Sequence, residues 1–357
     1  MAFTTIDDPS AHFQSDLWTG NNTSRSITFG ANSELQPDLA WIMGRDIAGN
    51  NGLIDSTRGV TKQLWADDQA AEKTSNSGSD LTAFNSDGIS LGASHQVDCN
   101  TNTKLILGWF WKANGGTTTT NDASATSVGT IDSVYQANTT AGFSIVTYSG
   151  SGSAGSIAHG LGVTPDVVII KNRGSNARGW IVYHHQSHAT PEDNFLLLNT
   201  NAAVADLDRM NDTAPTSTVF SVSDDTHVNN GSDTYVAYCW NEVPGFSKFG
   251  IYEGNNSTDG TFVFLGFRPE VLIIKKTSTT ANWIAKTGKV VEHNVHTEIS
   301  YLDITNAENT AQDMDLLSNG FKHRSTEGDG NHAQTYAYFA WARHPMVSSK
   351  GIPGTAV

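Results

Sequence analysis

One pattern recurs three times along this chain, and any fold must accommodate all three occurrences alike. Trp18-Thr-Gly-Asn-Asn-Thr23, Tyr148-Ser-Gly-Ser-Gly-Ser153 and Tyr252-Glu-Gly-Asn-Asn-Ser257 share an aromatic-x-Gly-polar-polar-Ser/Thr order. Seventeen to nineteen residues later stand Pro37-Asp-Leu-Ala-Trp-Ile42, Pro165-Asp-Val-Val-Ile-Ile170 and Pro269-Glu-Val-Leu-Ile-Ile274. Lys171 and Lys275 follow in the second and third copies, whereas the first carries Met43-Gly44. Trp180-Ile-Val-Tyr183 answers Trp283-Ile-Ala-Lys286, with Leu53-Ile-Asp55 in the first copy. Each copy closes on an aromatic run: Leu107-Gly-Trp-Phe-Trp111, Tyr235-Val-Ala-Tyr-Cys-Trp240 and Tyr336-Ala-Tyr-Phe-Ala-Trp341. From opening aromatic to closing Trp the distances are 93, 92 and 89 residues. Agreement in order, chemistry and spacing at four anchors marks an internal repeat.

The segments between anchors are short, β-branched or aromatic, and bounded by Gly, Asn, Asp and Ser, which predicts strands. Phe143-Ser-Ile-Val-Thr-Tyr148 alternates cleanly. A Pro-acid pair before an apolar run starts a strand after a turn, where the missing N–H of Pro does no harm. Val167-Val-Ile-Ile170 is apolar on both faces and belongs between two layers. Helical periodicity is nearly absent; Thr61 to Lys73 and Thr305 to Leu317 leave room for a turn or two. The expectation is an all-β protein of three repeated antiparallel β-sandwich domains with very little helix, over residues 1–113, 142–244 and 245–345. Residues 114–141, which include Gly115-Gly-Thr-Thr-Thr-Thr120, read as a linker, and 346–357 as a C-terminal tail. The linker composition suits a solvated tether or a segment crossing to a neighbouring protomer. Copies two and three join directly at Val243-Pro-Gly-Phe-Ser247, so they are expected to form a rigid pair with the first copy attached more loosely.

Charge narrows the partners. Lys plus Arg is 21 against 36 Asp plus Glu, a net −15 that argues against phosphate-backbone binding. Only 16% of residues are charged, below the roughly 25% of average soluble proteins. Yet 9 Trp, 15 Phe and 9 Tyr supply enough apolar bulk for real cores. Cys99 and Cys239 alone exclude a disulfide framework, and Cys239, inside an apolar strand, reads as a small buried hydrophobe. No apolar run approaches the ~20 residues of a membrane helix, and the N-terminus lacks the basic and apolar regions of a signal peptide. The chain is expected to be made in a cytoplasm, with no nucleic-acid partner and no membrane insertion.

Several motif matches fail on context. Gly150-Ser-Gly-Ser-Ala-Gly155 fits G-x-G-x-x-G, but a dinucleotide site needs a helix to start there, and Gly160-Leu-Gly-Val-Thr-Pro165 follows instead; a hairpin turn is expected. Gly88-Ile-Ser-Leu-Gly92 fits the hydrolase elbow, but no helix follows Ser90, and copy three places Lys322 there; a plain strand is expected, with His95 nearby playing no part as a base. His184, His185 and His188 follow a strand rather than lie on a helix, so they read as exposed loop histidines. Asp224-Asp225 matches no calcium loop spacing, and the sequons at Asn22, Asn138, Asn211, Asn230 and Asn255 follow from composition. No catalytic, cofactor-binding or metal-ligating residue is therefore assigned, and no cofactor is expected.

Longer strings carry a family resemblance. Asp7-Asp-Pro-Ser-Ala-His-Phe-Gln14, Leu35-Gln-Pro-Asp-Leu-Ala-Trp-Ile42, Asp55-Ser-Thr-Arg-Gly-Val-Thr-Lys62, His159-Gly-Leu-Gly-Val-Thr-Pro-Asp166, Asn211-Asp-Thr-Ala-Pro-Thr-Ser-Thr-Val-Phe220 and Glu242-Val-Pro-Gly-Phe-Ser-Lys-Phe249 resemble virion structural proteins of marine bacteriophages. The resemblance spans about residues 6 to 345. It implies a non-enzymatic component of the phage particle, most simply a tail fibre or receptor-binding appendage exposed on the virion. A capsid decoration or head-fibre protein is the alternative, and a tail-associated polysaccharide depolymerase is the contrasting enzymatic reading. Implied partners are other virion proteins, a host surface glycan or protein, and further copies of the chain, with a trimer expected.

Overall fold

A computed structural model describes residues 4–76, 78–93, 98–174, 178–348 and 350. Nearly every element is a strand; among the described residues the helical elements are the turn Pro9–Ala11 and the short helix Ala123–Thr126. Three large antiparallel sheets carry the same five strands in the same order. In the first these are Phe13–Thr19, Leu105–Trp111, Leu39–Gly44, Gly52–Asp55 and Lys62–Trp65. In the second they are Phe143–Ser149, Thr234–Trp240, Val167–Asn172, Ile181–His184 and Asn194–Leu197. The third has Ser247–Glu253, Thr335–Pro345, Phe267–Lys276, Ile284–Thr287 and His296–Tyr301. Registers agree as well. Trp111 lies opposite Phe13 and Leu39, Trp240 opposite Phe143 and Val167, and Trp341 opposite Ser247 and Val271.

Each closing strand is apolar along its whole length because both of its faces are buried. Side chains alternate across a strand. Val236, Tyr238 and Trp240 therefore enter one core while Tyr235, Ala237 and Cys239 enter another. The outer core of the second copy lies beneath a small second sheet, Gly155–Ala158 paired with Val219–Val222, and that of the first beneath Arg25–Ile27, Gly88–Leu91 and Leu81–Asn85; in the third copy the covering strands Asn309–Leu317, Gly320–His323 and Phe262–Phe264 continue the large sheet itself. The inner core is common to all three. Trp111, Trp240 and Trp341 form an edge-to-face triangle, with ring centroids 5.2, 5.9 and 6.0 Å apart and interplanar angles of 66–74°. Their indole N–H groups have no hydrogen-bond acceptor, and edge-to-face contact is the arrangement that aromatic quadrupoles favour.

Three expectations need correction. Residues 114–141 are not a linker: Thr119–Asn121 and Ser133–Asn138 extend the second sheet beyond Phe143–Ser149. Threonine suits strands as readily as linkers, and Gln136 is buried, its Nε2 donating to Ser56 Oγ and Thr57 Oγ1 of the first copy at 2.9 and 2.7 Å. The first copy is not loosely attached, because Trp111 packs against both Trp240 and Trp341. The stretches 61–73 and 305–317 form strands, Lys62–Trp65 and Asn309–Leu317, in place of helical turns. Burial against a neighbouring sheet overrides their weak helical pattern. Most of the tail expected over 346–357 lies outside the described residues.

Candidate functional site

Where two copies meet, equivalent residues touch. The backbone N–H of Glu72 donates to the Arg173 carbonyl, that of Val204 to Thr277 and that of Glu308 to Arg45, at 2.9, 2.9 and 2.8 Å. Trp180 Nε1 donates to the Trp65 carbonyl at 2.7 Å, Trp283 Nε1 to Leu197 at 2.8 Å, and Asn51 Nδ2 to Tyr301 at 3.0 Å. The second copy thus leans on the first, the third on the second and the first on the third, closing a ring. Buried Lys171 reaches the Gln69 carbonyl and Lys275 the Asn201 carbonyl, both at 3.0 Å; Met43 holds that place in the first copy.

One slot in each seam is filled by different chemistry. Trp109 Nε1 donates to Thr287 Oγ1 at 3.0 Å, and Tyr238 Oη to Asp55 Oδ2 at 2.8 Å. Phe339 packs edge-on against His184, ring centroids 4.9 Å apart. The Asp55 slot is part of a buried charge network in which Arg58 meets Asp55 at 2.5 Å and Glu72 at 3.0 Å, and Arg173 meets Glu72 at 2.8 Å. Desolvation opposes the Arg58 charge, but Asp55, Tyr238 and Glu72 around it raise its pKa further.

The expected motifs fall into structural roles. Gly150 to Gly155 joins Phe143–Ser149 to Gly155–Ala158, strands that pair with different partners, so the loop is a crossover between sheets rather than a hairpin. Ser90 lies within the strand Gly88–Leu91, its Oγ 3.1 Å from Ser26 Oγ; His95 lies outside the described residues. The histidines are not all exposed, as expected of a loop. His184 is fully buried at a seam, and burial lowers its pKa to about 3, while His188 is exposed. His185 is half-buried, with Nδ1 2.9 Å from Asp166 Oδ1 and Nε2 3.0 Å from the Phe249 carbonyl. Asp225 is engaged by Arg209 and by His227. Among the described residues no three His, Cys, Asp or Glu side chains gather as metal ligands.

The Pro-acid anchor leads to a place where the third copy departs from the other two. In the first copy Asp38 is fully buried and caps the chain leaving the closing strand, accepting from the N–H groups of Ala113, Gly115 and Gly116 at 2.7–2.8 Å. Asp166 does the same in the second copy, accepting from Glu242 N–H at 2.6 Å. In the third copy the closing strand does not turn away after Trp341. It continues to Pro345, paired with the early residues of Phe267–Lys276 through a bulge around Pro269. With no turn to cap, the acid, here Glu270, faces a cavity of about 280 Å³ between the third and first copies.

The first copy leaves this space open in two ways. Its opening strand is a sheet edge, whereas in the second copy Ser133–Asn138 covers that flank. Ser15 also stands where the register places Ile145 and Phe249 in the other copies. Ser15 Oγ donates to Glu270 Oε1. Burial raises the Glu270 pKa, against the Ser15 hydrogen bond and the charges of Arg343 and Lys289. Lys289 Nζ is held by Asp16 Oδ1 at 2.6 Å and the Ser15 carbonyl at 3.2 Å. Arg343 is loosely held: Nε lies 3.8 Å from Glu270 Oε2, Nη2 3.8 Å from Glu292 Oε1, and Nη1 3.5 Å from the Gly288 carbonyl. His344, exposed at the rim, has its pKa lowered by partial burial and by Arg343 and Arg268. Glu270 was visible in the sequence only as the start of a strand, and Lys289 and Arg343 carried no signal. No curated protein matches the chain. A family model does match, that of a domain of unknown function (DUF7483), over residues 8–345; it takes in all three sheets and both walls of the cavity, and the chain belongs to that family.

Proposed function

We propose that the protein is a non-enzymatic structural component of a phage particle, a tail fibre or receptor-binding appendage contacting the host surface. The observation that carries this reading is the closed ring of three sandwiches around one aromatic core, taken with the virion-like strings along the same residues. Such a ring is a rigid block whose many loops present polar side chains outward, and rigid presentation keeps the entropy cost of binding low. Assembly with other virion proteins, and of three chains into a homotrimer, belongs to the same proposal. Its basis is avidity rather than apolar area, because the aromatic inner faces of the three sheets are buried within one chain.

Cryo-electron microscopy of the particle, with the chain fitted to the density, tests the reading. Density at a tail tip is expected. Density on the head favours the capsid-decoration alternative, and absence from the particle removes the proposal. Sustained release of oligosaccharide from host polysaccharide by the purified chain would instead identify a depolymerase.

A further inference from the structure

We infer that the cavity between the third and first copies binds a small polyhydroxylated molecule bearing one carboxylate, of the size of a single acidic sugar unit. The inference rests on the receptor-binding reading only for where such a ligand is met, at a host surface.

Arg343 supplies the first argument. None of its three contacts is shorter than 3.5 Å, so its guanidinium retains directed donors. A planar guanidinium pairs best with a carboxylate, through two parallel hydrogen bonds. Glu270 supplies the second. Its Oε2 stands 3.8 Å from Arg343 Nε, too far for a hydrogen bond, and a ligand hydroxyl can bridge the pair by donating to the carboxylate and accepting from the guanidinium. Lys289, paired with Asp16, is a second bridging point of the same mixed kind.

The charge balance selects among ligands. Glu270, Asp8 and Asp16 disfavour a multiply charged anion, and Arg343 and Lys289 disfavour a cation. Alternating acids and bases suit vicinal hydroxyls, which donate and accept at once. Ala31 supplies exposed apolar lining, with Phe13 and Ala342 reaching the cavity at only 2% exposure. At about 280 Å³ the space is at the small end of ligand sites, roughly 300–1,000 Å³, which fits one ring rather than a chain of them. The equivalent acids are more fully engaged: Asp38 accepts from three backbone N–H groups and Asp166 from Glu242 N–H with His185 against it, whereas Glu270 takes the Lys289 backbone N–H and the Ser15 hydroxyl and stands beside the loosely held Arg343.

The test titrates the full chain with sodium glucuronate and sodium galacturonate, using glucose and inorganic phosphate as comparators, followed by calorimetry and saturation-transfer NMR. At least one uronate should bind saturably, one per chain, about tenfold or more tighter than glucose or phosphate. Arg343→Gln should weaken that binding about tenfold or more, and Arg343→Lys by less, since lysine keeps the charge without the fork. Arg343 is half-exposed with no close ion pair, so an unchanged melting temperature in Arg343→Gln separates loss of the site from loss of the fold. Failure of both uronates to saturate, equal binding of glucose or phosphate, or unchanged affinity in a folded Arg343→Gln overturns the inference. If a uronate binds as described yet does not reduce adsorption of particles to host cells, the site stands and the receptor-binding reading falls.

Discussion

Asp67, Asn199 and Asp303 occupy one position in three copies, and each accepts the backbone N–H that opens the fourth strand, from Asn51 at 2.7 Å, Trp180 at 2.8 Å and Trp283 at 3.1 Å. An amide serves in the second copy, so the role needs an acceptor and not a charge. Burial raises the pKa of Asp67 to about 6. The folded value lies above the unfolded value of about 3.9, so stability falls as pH rises between the two and does not return above them. Asp67→Asn is expected to raise stability by about 1–2 kcal/mol at pH 7.5, with little effect at pH 3.5. Urea unfolding at both pH values checks this; an equal effect at both would show that charge is not the cause. His185 has the opposite sign. Burial disfavours its charge, but the hydrogen bonds to Asp166 and to the Phe249 carbonyl outweigh it and raise the pKa. Its contribution is full below the ordinary value of about 6.5 and is lost as pH rises through the raised one. His185→Asn should lower the melting temperature by about 2–4 °C at pH 5.5 and by less at pH 8.5.

At the scale of single elements, the strand Ser133–Asn138 and the fourth strands hold the seams shut. Gln136→Ala removes the donor to Ser56 and Thr57 and the acceptor for Gly116 N–H, so a cost of about 1–3 kcal/mol is expected by thermal or urea unfolding. Trp180→Phe keeps most of the ring but leaves the Trp65 carbonyl with only the long Asp68 N–H contact at 3.4 Å; about 1–2 kcal/mol should be lost. The closing strands and Pro-acid strands were legible in the sequence because double burial writes an uninterrupted apolar run. Ser133–Asn138 was not legible, since Gln136 is buried by partners about 80 residues away and nothing local distinguishes it from a solvated glutamine. The cavity was hidden for the same reason. Lys289 and Arg343 are long, part-exposed side chains that read as surface charge, and Lys289 meets Ser15 and Asp16 only because the third copy folds back onto the first. The available hints were small: glutamate in place of aspartate after Pro269, and Ala342-Arg-His-Pro345 extending the strand beyond Trp341.

For the whole molecule, the shared inner core predicts how the chain unfolds. Three independent sandwiches would melt in separate steps, whereas sheets that complete one another's core should melt together. A single calorimetric transition, with calorimetric and van't Hoff enthalpies equal, is expected. Trp111→Ala, Trp240→Ala and Trp341→Ala should each cost about 3–5 kcal/mol and lower that one transition without splitting it. Resolved transitions in any of them would show that the sandwiches hold themselves up separately. The ring also has a hereditary consequence. In an assembly of identical chains every substitution is repeated at every seam, but here each seam is written in its own stretch of gene. Trp109 with Thr287, Tyr238 with Asp55 and Phe339 with His184 are three separate answers to one spatial problem. Covalent joining therefore lets one seam drift while two keep the scaffold intact, and Glu270 has left capping without Asp38 or Asp166 having to follow.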